Sequence, residues 1–329
     1  MIMNSPAHAY AAPLLLRGPM IQSILASSRL RVRNGHAMDR GAREVIVDAG
    51  GGVRLLGYHS PQPGRSAKGL VILLHGWEGC QDSVYMLRTG RALYDQGYDV
   101  FRLNLRDHGE SHRLNQGLFL GTLIEESHQG VRAVAGLAQG GPVFLAGFSM
   151  GGNFALRMSL RHGRSPIPGL RGVAAISPGV NPEVSTRLID KITLMRLYFL
   201  KKWKRSLRLK QEAFPQVYDF SEVLACRTVM GMTEAMLARY TDYPSTSAYF
   251  SGYALMGEAL GDLAAPTVIV TAADDPVIPA DDFRAMTFND QTELIIHDHG
   301  GHSGFVEGLG LASWYERWLP QWFASLAGK

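Results

Sequence analysis

The sequence predicts an α/β protein with a mostly parallel, doubly wound sheet and one helical insertion. Short apolar runs without polar alternation recur along the chain, as expected of parallel strands that are covered on both faces. Amphipathic segments of helical length separate these runs, which is the pattern of crossover helices. The alternation stops after Gly179 and resumes near residue 265. A chain of 329 residues, 46% of them hydrophobic, is long enough for one large domain with an insertion.

The predicted elements form an N-terminal extension, a core and a cap insertion. The predicted strands are 44–47, 53–59, 69–74, 100–105, 143–146, 173–176, 268–270 and 294–296, and the predicted helices are 84–96, 124–137, 150–161 and 314–326. The extension is 1–42, with one or two helical turns at 20–25 against the core, which comprises 43–179 and 265–329. The cap insertion, 180–264, is expected above the carboxyl ends of the strands, where ligands bind in open α/β sheets.

The stretch 143–153 changes from a buried strand to a helix at Ser149. Gly147 and Gly151 remove side chains that would collide with the neighbouring backbone, so the serine hydroxyl projects above the sheet. The helix that follows directs its N-terminal N–H groups toward the serine and favours negative charge there. This Gly-x-Ser-x-Gly pattern predicts that Ser149 is a nucleophile. The alternative is a Gly/Ser turn that merely joins two elements.

A serine hydroxyl is a weak nucleophile, so it needs a base and a third group that orients the base. Two carboxylates, Asp274 and Asp275, follow the predicted strand 268–270. Adjacent residues of an extended segment point to opposite sides, so only one of the two can face the base. Asp275 is the predicted partner because Pro276 confines it to extended conformations. Asp274 stays open as the alternative.

Three histidines follow the predicted strand 294–296 and could supply the base. His302 is the predicted base because Gly300 and Gly301 allow the loop to turn back over the serine. His297 is interpreted as the last residue of the strand and His299 as a loop residue. The chain order Ser, Asp, His is one of the known arrangements of a catalytic triad. The spacing His-x-His-x-x-His also permits a metal site as an alternative.

The other half of an oxyanion hole is expected in the loop His75-Gly76-Trp77, directly after the buried strand 69–74. We predict that the backbone N–H groups of Trp77 and Met150 stabilise the tetrahedral intermediate. Removal of one such donor costs roughly 3–4 kcal/mol of transition-state stabilisation. The alternative is that His75 and Gly76 only form a tight turn.

The predicted triad, the loop of His75 and Gly76 and the corner at Ser149 resemble those of the α/β-hydrolase superfamily. A narrower resemblance rests on five motifs along the chain. They are Pro19-Met20-Ile21-Gln22-Ser23-Ile24, His75-Gly76-Trp77-Glu78-Gly79, Asn104-Leu105-Arg106-Asp107-His108-Gly109-Glu110-Ser111, Ala273-Asp274-Asp275-Pro276 and His299-Gly300-Gly301-His302-Ser303-Gly304-Phe305. More narrowly, they are similar to those of bacterial hydrolases related to plant embryogenesis-associated protein and yeast medium-chain ester synthases and esterases. The resemblance implies an α/β-hydrolase fold and a serine hydrolase of short- or medium-chain acyl esters that needs no cofactor. Arg106-Asp107-His108-Gly109 departs from the commoner Arg-Gly pair.

The cap insertion contains one amphipathic helix that is rich in basic residues. Its apolar residues, at three- and four-residue steps, are Ile192, Met195, Phe199, Trp203 and Leu207, whereas Lys201, Lys204, Arg205 and Arg208 point elsewhere. We interpret it as a cap helix whose aromatic residues, Phe199 and Trp203, line an acyl pocket together with Phe148. The alternative is weak docking of its basic face on a membrane surface.

Charge and cysteine content limit the possible partners and compartment. Seven basic residues and no acid lie within 196–210. Because the net charge of the whole chain is only +4, the positive charge is concentrated in this segment. A nucleic-acid binder would be expected to spread basic residues over a face, so this distribution argues against one. Cys80 and Cys226 are too few for a disulfide framework, which favours a reducing, cytoplasmic compartment. Pro13 interrupts the apolar stretch 11–16, which argues against a signal peptide or a spanning helix. Acyltransferase, thioesterase and amidase activities use the same triad and stay open, as does a non-enzymatic binding role.

Overall fold

Buried aliphatic runs form one eight-stranded sheet in a computed structural model that describes residues 9–64, 66–308 and 310–327. Its strands are β1 (Arg43–Asp48), β2 (Arg54–Ser60), β3 (Leu70–Leu74), β4 (Asp99–Leu103), β5 (Val143–Phe148), β6 (Leu170–Ile176), β7 (Thr267–Ala272) and β8 (Thr292–His297). The spatial order is β1-β2-β4-β3-β5-β6-β7-β8. β1 and β2 are antiparallel, as is β2 with β4, and the remaining pairs are parallel. The predicted fold class is confirmed.

Helices cover both faces of the sheet, which explains why the central strands lack polar alternation. The helices of the core and of the N-terminal extension are α1 (Pro19–Ala26), α2 (Ala37–Arg40), α3 (Val84–Asp95), α4 (Ile124–Ala135), α5 (Met150–His162), α11 (Ala280–Arg284) and α12 (Trp314–Leu326). Val71 and Leu73 of β3 pack with α3 and α12 on one face. Ile72 and Leu74 pack with α4 and α5 on the other face. Two apolar layers therefore hold the sheet and fix the loops at its carboxyl edge.

Several boundaries differ from the predictions. β4 ends at Leu103, and the side chain of Asn104 beyond it hydrogen-bonds Gln81 through both its oxygen and its nitrogen. β5 continues to Phe148, so the strand runs directly into Ser149. The short helices α2 and α11 and a two-stranded ribbon of β9 (Val306–Glu307) and β10 (Ala312–Ser313) were not predicted.

The cap insertion is helical in the described part of the chain. Its helices are α6 (Pro182–Lys191), α7 (Thr193–Ala213), α8 (Ser221–Ala225), α9 (Val229–Tyr240) and α10 (Thr246–Ser251). Met195, Trp203 and Leu207 of α7 are buried, as their spacing predicts. Lys204 departs from its predicted exposure, because it is half-buried and its Nζ donates to the Cys226 carbonyl over 2.7 Å.

The N-terminal extension is attached to the core by side-chain hydrogen bonds. Gln22 is buried, and its Oε1 accepts from the Val306 N–H over 2.7 Å while its Nε2 donates to the Val306 and Leu16 carbonyls. Arg31 forms a buried ion pair with Glu316 of α12 at 2.7 Å. The first eight residues of the predicted extension lie outside the described residues. In the described ranges we find no helix with both the length and the apolar character needed to cross a bilayer.

Candidate active site

Ser149 occupies the corner between β5 and α5 in a strained backbone conformation, with φ of 51° and ψ of −115°. Two close backbone contacts explain the flanking glycines. A Cβ on Gly147 would lie 2.1 Å from the Gly151 carbonyl oxygen, and a Cβ on Gly151 would lie 2.4 Å from the Leu74 carbonyl oxygen. Because backbone atoms cannot move aside cheaply, only glycine fits at either position. The corner therefore holds the serine at the carboxyl edge of the sheet.

Ser149, His302 and Asp275 form a continuous hydrogen-bonded series. Ser149 Oγ lies 2.9 Å from His302 Nε2, and His302 Nδ1 lies 2.9 Å from Asp275 Oδ2. The other carboxylate oxygen of Asp275 accepts from the N–H groups of Val277 and Ile278, at 2.8 and 3.0 Å. These bonds orient the carboxylate, which in turn orients the imidazole toward the hydroxyl.

Asp274 binds the histidine loop instead of the imidazole of His302. Its Oδ1 accepts from the Gly301 N–H over 2.9 Å, and its Oδ2 lies 3.5 Å from Nδ1 of His299. The structure thus gives the two neighbouring carboxylates different partners.

The three histidines of the loop do not converge. His297 packs edge-on against Trp314, at 4.6 Å between ring centroids, whereas His299 contacts Asp274 and His302 contacts Asp275. Within 9–64, 66–308 and 310–327, no three histidine, cysteine or acidic side chains are placed to hold a metal ion. The geometry therefore gives the metal-site alternative no support.

His75 anchors the loop that follows β3. Its Nδ1 donates to the Gly76 carbonyl over 2.8 Å, and its Nε2 accepts from the Leu105 N–H over 3.1 Å. Burial lowers the pKa of His75 well below its usual value, and the neighbouring His108 acts in the same direction. A neutral imidazole with both nitrogens occupied serves as a structural support for the loop.

The loop of Gly76 and Trp77 lies directly against the serine corner. A Cβ on Gly76 would lie 3.2 Å from Ser149 Cβ, and the Gly76 N–H donates to the Tyr85 hydroxyl over 3.0 Å. Sequence reasoning missed Tyr85, because a tyrosine in an amphipathic helix gives no signal of such a contact. Among the described residues, the N–H groups of Trp77 and Met150 donate to no protein acceptor. Both residues also line a cavity together with Ser149.

Glu78 follows this loop and contributes to its electrostatics. Desolvation raises the pKa of Glu78 to about 8, although the Lys202 ammonium opposes the shift. The raised pKa favours the protonated form of the Glu78 carboxyl, so this loop carries less negative charge near neutral pH than an exposed glutamate would give it. Lys202 Nζ donates to the Glu78 carbonyl over 2.7 Å, which connects this loop to α7.

Ser23 of α1 is a further residue at the site that sequence reasoning missed. Its Oγ accepts from the backbone N–H of His302 over 2.8 Å and donates to the Pro19 carbonyl over 2.7 Å. A Cβ on Gly301 would lie 2.3 Å from the Pro19 oxygen, so α1 and the histidine loop are in direct contact. The only sequence signal was the Pro19–Ile24 motif, and that signal did not indicate its partner.

A cavity of about 720 Å³ lies beside Ser149 and His302, between the sheet and the cap insertion. All three predicted pocket residues, Phe148, Phe199 and Trp203, line it. Trp77 stacks on Phe199 at 5.2 Å between ring centroids and meets Trp203 edge-on at 5.1 Å. The cavity has the size and aromatic lining of a small-molecule site.

The sheet order and the serine at the strand-to-helix corner after β5 define an α/β-hydrolase fold. The chain belongs to the alpha/beta hydrolase family, which it matches over residues 71–313. Family and fold together assign it to the hydrolases.

Relatives of known sequence or structure agree with this assignment. The provisionally named esterase YheT of Escherichia coli K12 is 24% identical over 266 residues, which cover 78% of this chain and 76% of that protein. Phospholipase ABHD3 of Mus musculus is 24% identical over 249 residues, 74% of this chain and 60% of that protein. The structure of esterase Pf2001 of Pyrococcus furiosus has a TM-score of 0.57 at 17% identity, covering 90% of this chain and 95% of that chain. The narrower resemblance to embryogenesis-associated and yeast proteins stays a prediction.

Proposed function

We propose that the protein is a serine esterase that cleaves carboxylic acyl esters through an acyl-enzyme on Ser149. The observation that carries the proposal is the series from Ser149 through His302 to Asp275, with both hydrogen bonds at 2.9 Å. The names of relatives as esterases and a phospholipase support an ester substrate.

The reaction follows from these contacts. His302 Nε2 accepts the proton of Ser149 Oγ as the oxygen attacks the ester carbonyl carbon. The N–H groups of Trp77 and Met150 donate to the resulting oxyanion. The intermediate collapses by cleaving the bond to the alcohol oxygen, which takes the proton from His302. Water then attacks the acyl-enzyme, with His302 again as the base, and releases the acid and free Ser149.

The pocket residues Phe148, Phe199 and Trp203 are proposed to hold a short- to medium-chain acyl group. In this arrangement the cap insertion, 180–264, encloses the acyl chain and the core carries the reacting groups.

Cys80 and Cys226 are free thiols, which supports a reducing, cytoplasmic compartment.

The test is hydrolysis of p-nitrophenyl esters from acetate to palmitate. Wild type is expected to hydrolyse the shorter esters, and Ser149→Ala is expected to lower kcat by about 10⁴- to 10⁶-fold. Ser159→Ala, in the same helix but outside the cavity lining, is the matched control and should retain wild-type activity. Wild type that hydrolyses none of the esters, or Ser149→Ala that equals wild type, would contradict the proposal.

A further inference from the structure

The cavity opens between α1 of the N-terminal extension and α7 of the cap insertion. Three large apolar side chains that line the cavity are also exposed: Ile24 at 52%, Leu194 at 57% and Tyr198 at 44%. Ile24 lies on α1, and the other two lie on α7. Exposed apolar side chains therefore flank the opening on both sides.

Three more exposed apolar residues lie close in sequence to those that line the cavity mouth. Ile21 and Leu30 on the α1 side and Leu197 on α7 are exposed as well, and none of them lines the cavity. We call the six residues the mouth rim: Ile21, Ile24, Leu30, Leu194, Leu197 and Tyr198. Single exposed apolar side chains are common, but a group around one opening marks an interaction surface.

The outward face of α7 continues from the mouth rim into positive charge. Lys201, Arg205 and Arg208 are exposed, follow Leu197 and Tyr198 at helical spacing, and form no salt bridge with any described residue. Arg29 adds a cation at the mouth, where the acidic Asp82 is paired with Arg102 at 3.3 Å. These cations differ from Lys204 and Lys210, which bind protein oxygens. The face is thus apolar at the opening and cationic beside it.

We propose that the mouth rim docks on an anionic lipid surface, from which an acyl ester enters the cavity. Apolar side chains flanked by cations bind such a surface, because burial in the acyl boundary and attraction to anionic headgroups act together. Docking would place the opening against the lipid, so an amphipathic substrate could reach Ser149 without crossing water. The statement about substrate entry rests on the proposed esterase activity, whereas the docking surface stands without it.

The binding test is co-sedimentation of the full chain with vesicles at low salt. Most of the wild type is expected to sediment with vesicles of equal parts phosphatidylglycerol and phosphatidylcholine. Little of it is expected to sediment with vesicles of phosphatidylcholine alone. The double variant Leu30→Ser/Leu197→Ser should lower the bound fraction about fivefold or more. The matched control, Ile46→Ser/Leu137→Ser, changes side chains exposed by 46% and 40% outside the mouth rim and should bind like wild type.

A second pair of variants tests the charges. Arg205→Gln/Arg208→Gln should weaken binding to the anionic vesicles several-fold. Arg164→Gln/Arg171→Gln should not, because Arg164 precedes β6 and Arg171 lies at its start, at the opposite edge of the sheet. Wild type that stays in the supernatant with both kinds of vesicle would overturn the proposal. Equal binding by the mouth-rim variants and their controls, as expected of a different docking surface or a protein partner, would also overturn it.

An activity assay separates docking from the esterase proposal. Leu30→Ser/Leu197→Ser should hydrolyse soluble p-nitrophenyl butyrate like wild type but hydrolyse a medium-chain acyl ester carried in anionic vesicles about fivefold more slowly. Vesicle binding by a wild type that hydrolyses no ester would support docking and contradict the esterase. Hydrolysis of the soluble ester without any vesicle binding would contradict docking alone.

Discussion

The two walls of the cavity are held in place by different interactions. On the core wall, backbone atoms pack so closely that Gly147 and Gly151 admit no side chain. The cap wall is attached to the core through side-chain contacts, such as those of Lys202 with the Glu78 carbonyl and of Lys210 with Asp107. The core wall therefore cannot change without breaking the sheet edge, whereas the position of the cap depends on side-chain contacts that substitution can remove.

Lys210 forms the most buried of these cap contacts. Its Nζ donates to Asp107 Oδ1 at 2.7 Å and to the carbonyls of Asn115 and Gly117 at 2.6 and 2.9 Å. All three ammonium protons thus have acceptors. Burial raises the pKa of Asp107 to about 6 even beside this cation, and burial lowers the pKa of Lys210. Burial of these two charges costs desolvation free energy, and the ion pair and its hydrogen bonds offset this cost only while all of them are present.

The largest expected effect concerns the two carboxylates of the core wall. Asp275→Asn should lower kcat by about 10⁴-fold, because the amide no longer holds the imidazole in the tautomer that accepts the serine proton. Asp274→Asn removes only a charge that binds the Gly301 N–H and His299, so its loss should stay within about tenfold. Ester hydrolysis by the two variants at equal concentration measures the difference. Similar losses in both would contradict the assignment of Asp275.

A methyl group at Gly151 should destabilise the serine corner of the core wall. Gly151→Ala places a Cβ 2.4 Å from the Leu74 oxygen and 2.6 Å from the His75 oxygen, so we expect it to lower the free energy of unfolding by about 3 kcal/mol or more. The control is Gly136→Ala, where no atom lies within 4 Å and φ is −60°, and which should change stability by less than about 1 kcal/mol. Urea unfolding compares them. Equal stability of the two variants would show that the corner tolerates a side chain.

Loss of the buried Lys210 cation should destabilise the attachment of the cap wall to the core. Lys210→Met leaves Asp107 buried without its ion partner, so we expect the free energy of unfolding to fall by about 3 kcal/mol. Lys201→Met, on the exposed face of the same helix, should change it by no more than about 0.5 kcal/mol. The double variant Lys210→Met/Asp107→Asn should recover about 1 kcal/mol or more, because no unpaired charge is then buried. Urea unfolding of all three decides, and a double variant no more stable than Lys210→Met would refute the ion-pair explanation.

The core wall and the cap wall also differ in how well they could be predicted from the sequence. The strands of the core wall are uninterrupted apolar runs such as Leu70–Leu74, so their positions in the sequence and the loops that follow them can be predicted from the hydrophobic pattern. The cap contacts do not follow in this way. Lys204 and Lys210 bind protein oxygens whereas Lys201 is exposed, yet all three stand in one basic run, and only tertiary packing distinguishes them. Periodicity describes one helix and carries no information about the partner it meets.

The smallest expected effect is that of substitutions at Ser23. They test whether the N-terminal extension acts together with the core wall. The Ser23 hydroxyl meets the His302 N–H across 279 residues of sequence. Loss of one such hydrogen bond, worth ~1 kcal/mol, should lower kcat/KM about fivefold in Ser23→Ala, because the imidazole is less well positioned. Ser23→Thr keeps the hydroxyl and should restore most of the activity, and the thermal midpoint of all three proteins should agree within a few degrees. Rescue by threonine would place the extension with the core wall as a positioning element for His302. Equal activity of Ser23→Ala and wild type would instead mean that α1 acts only as part of the cavity mouth, so that the core wall alone positions the histidine.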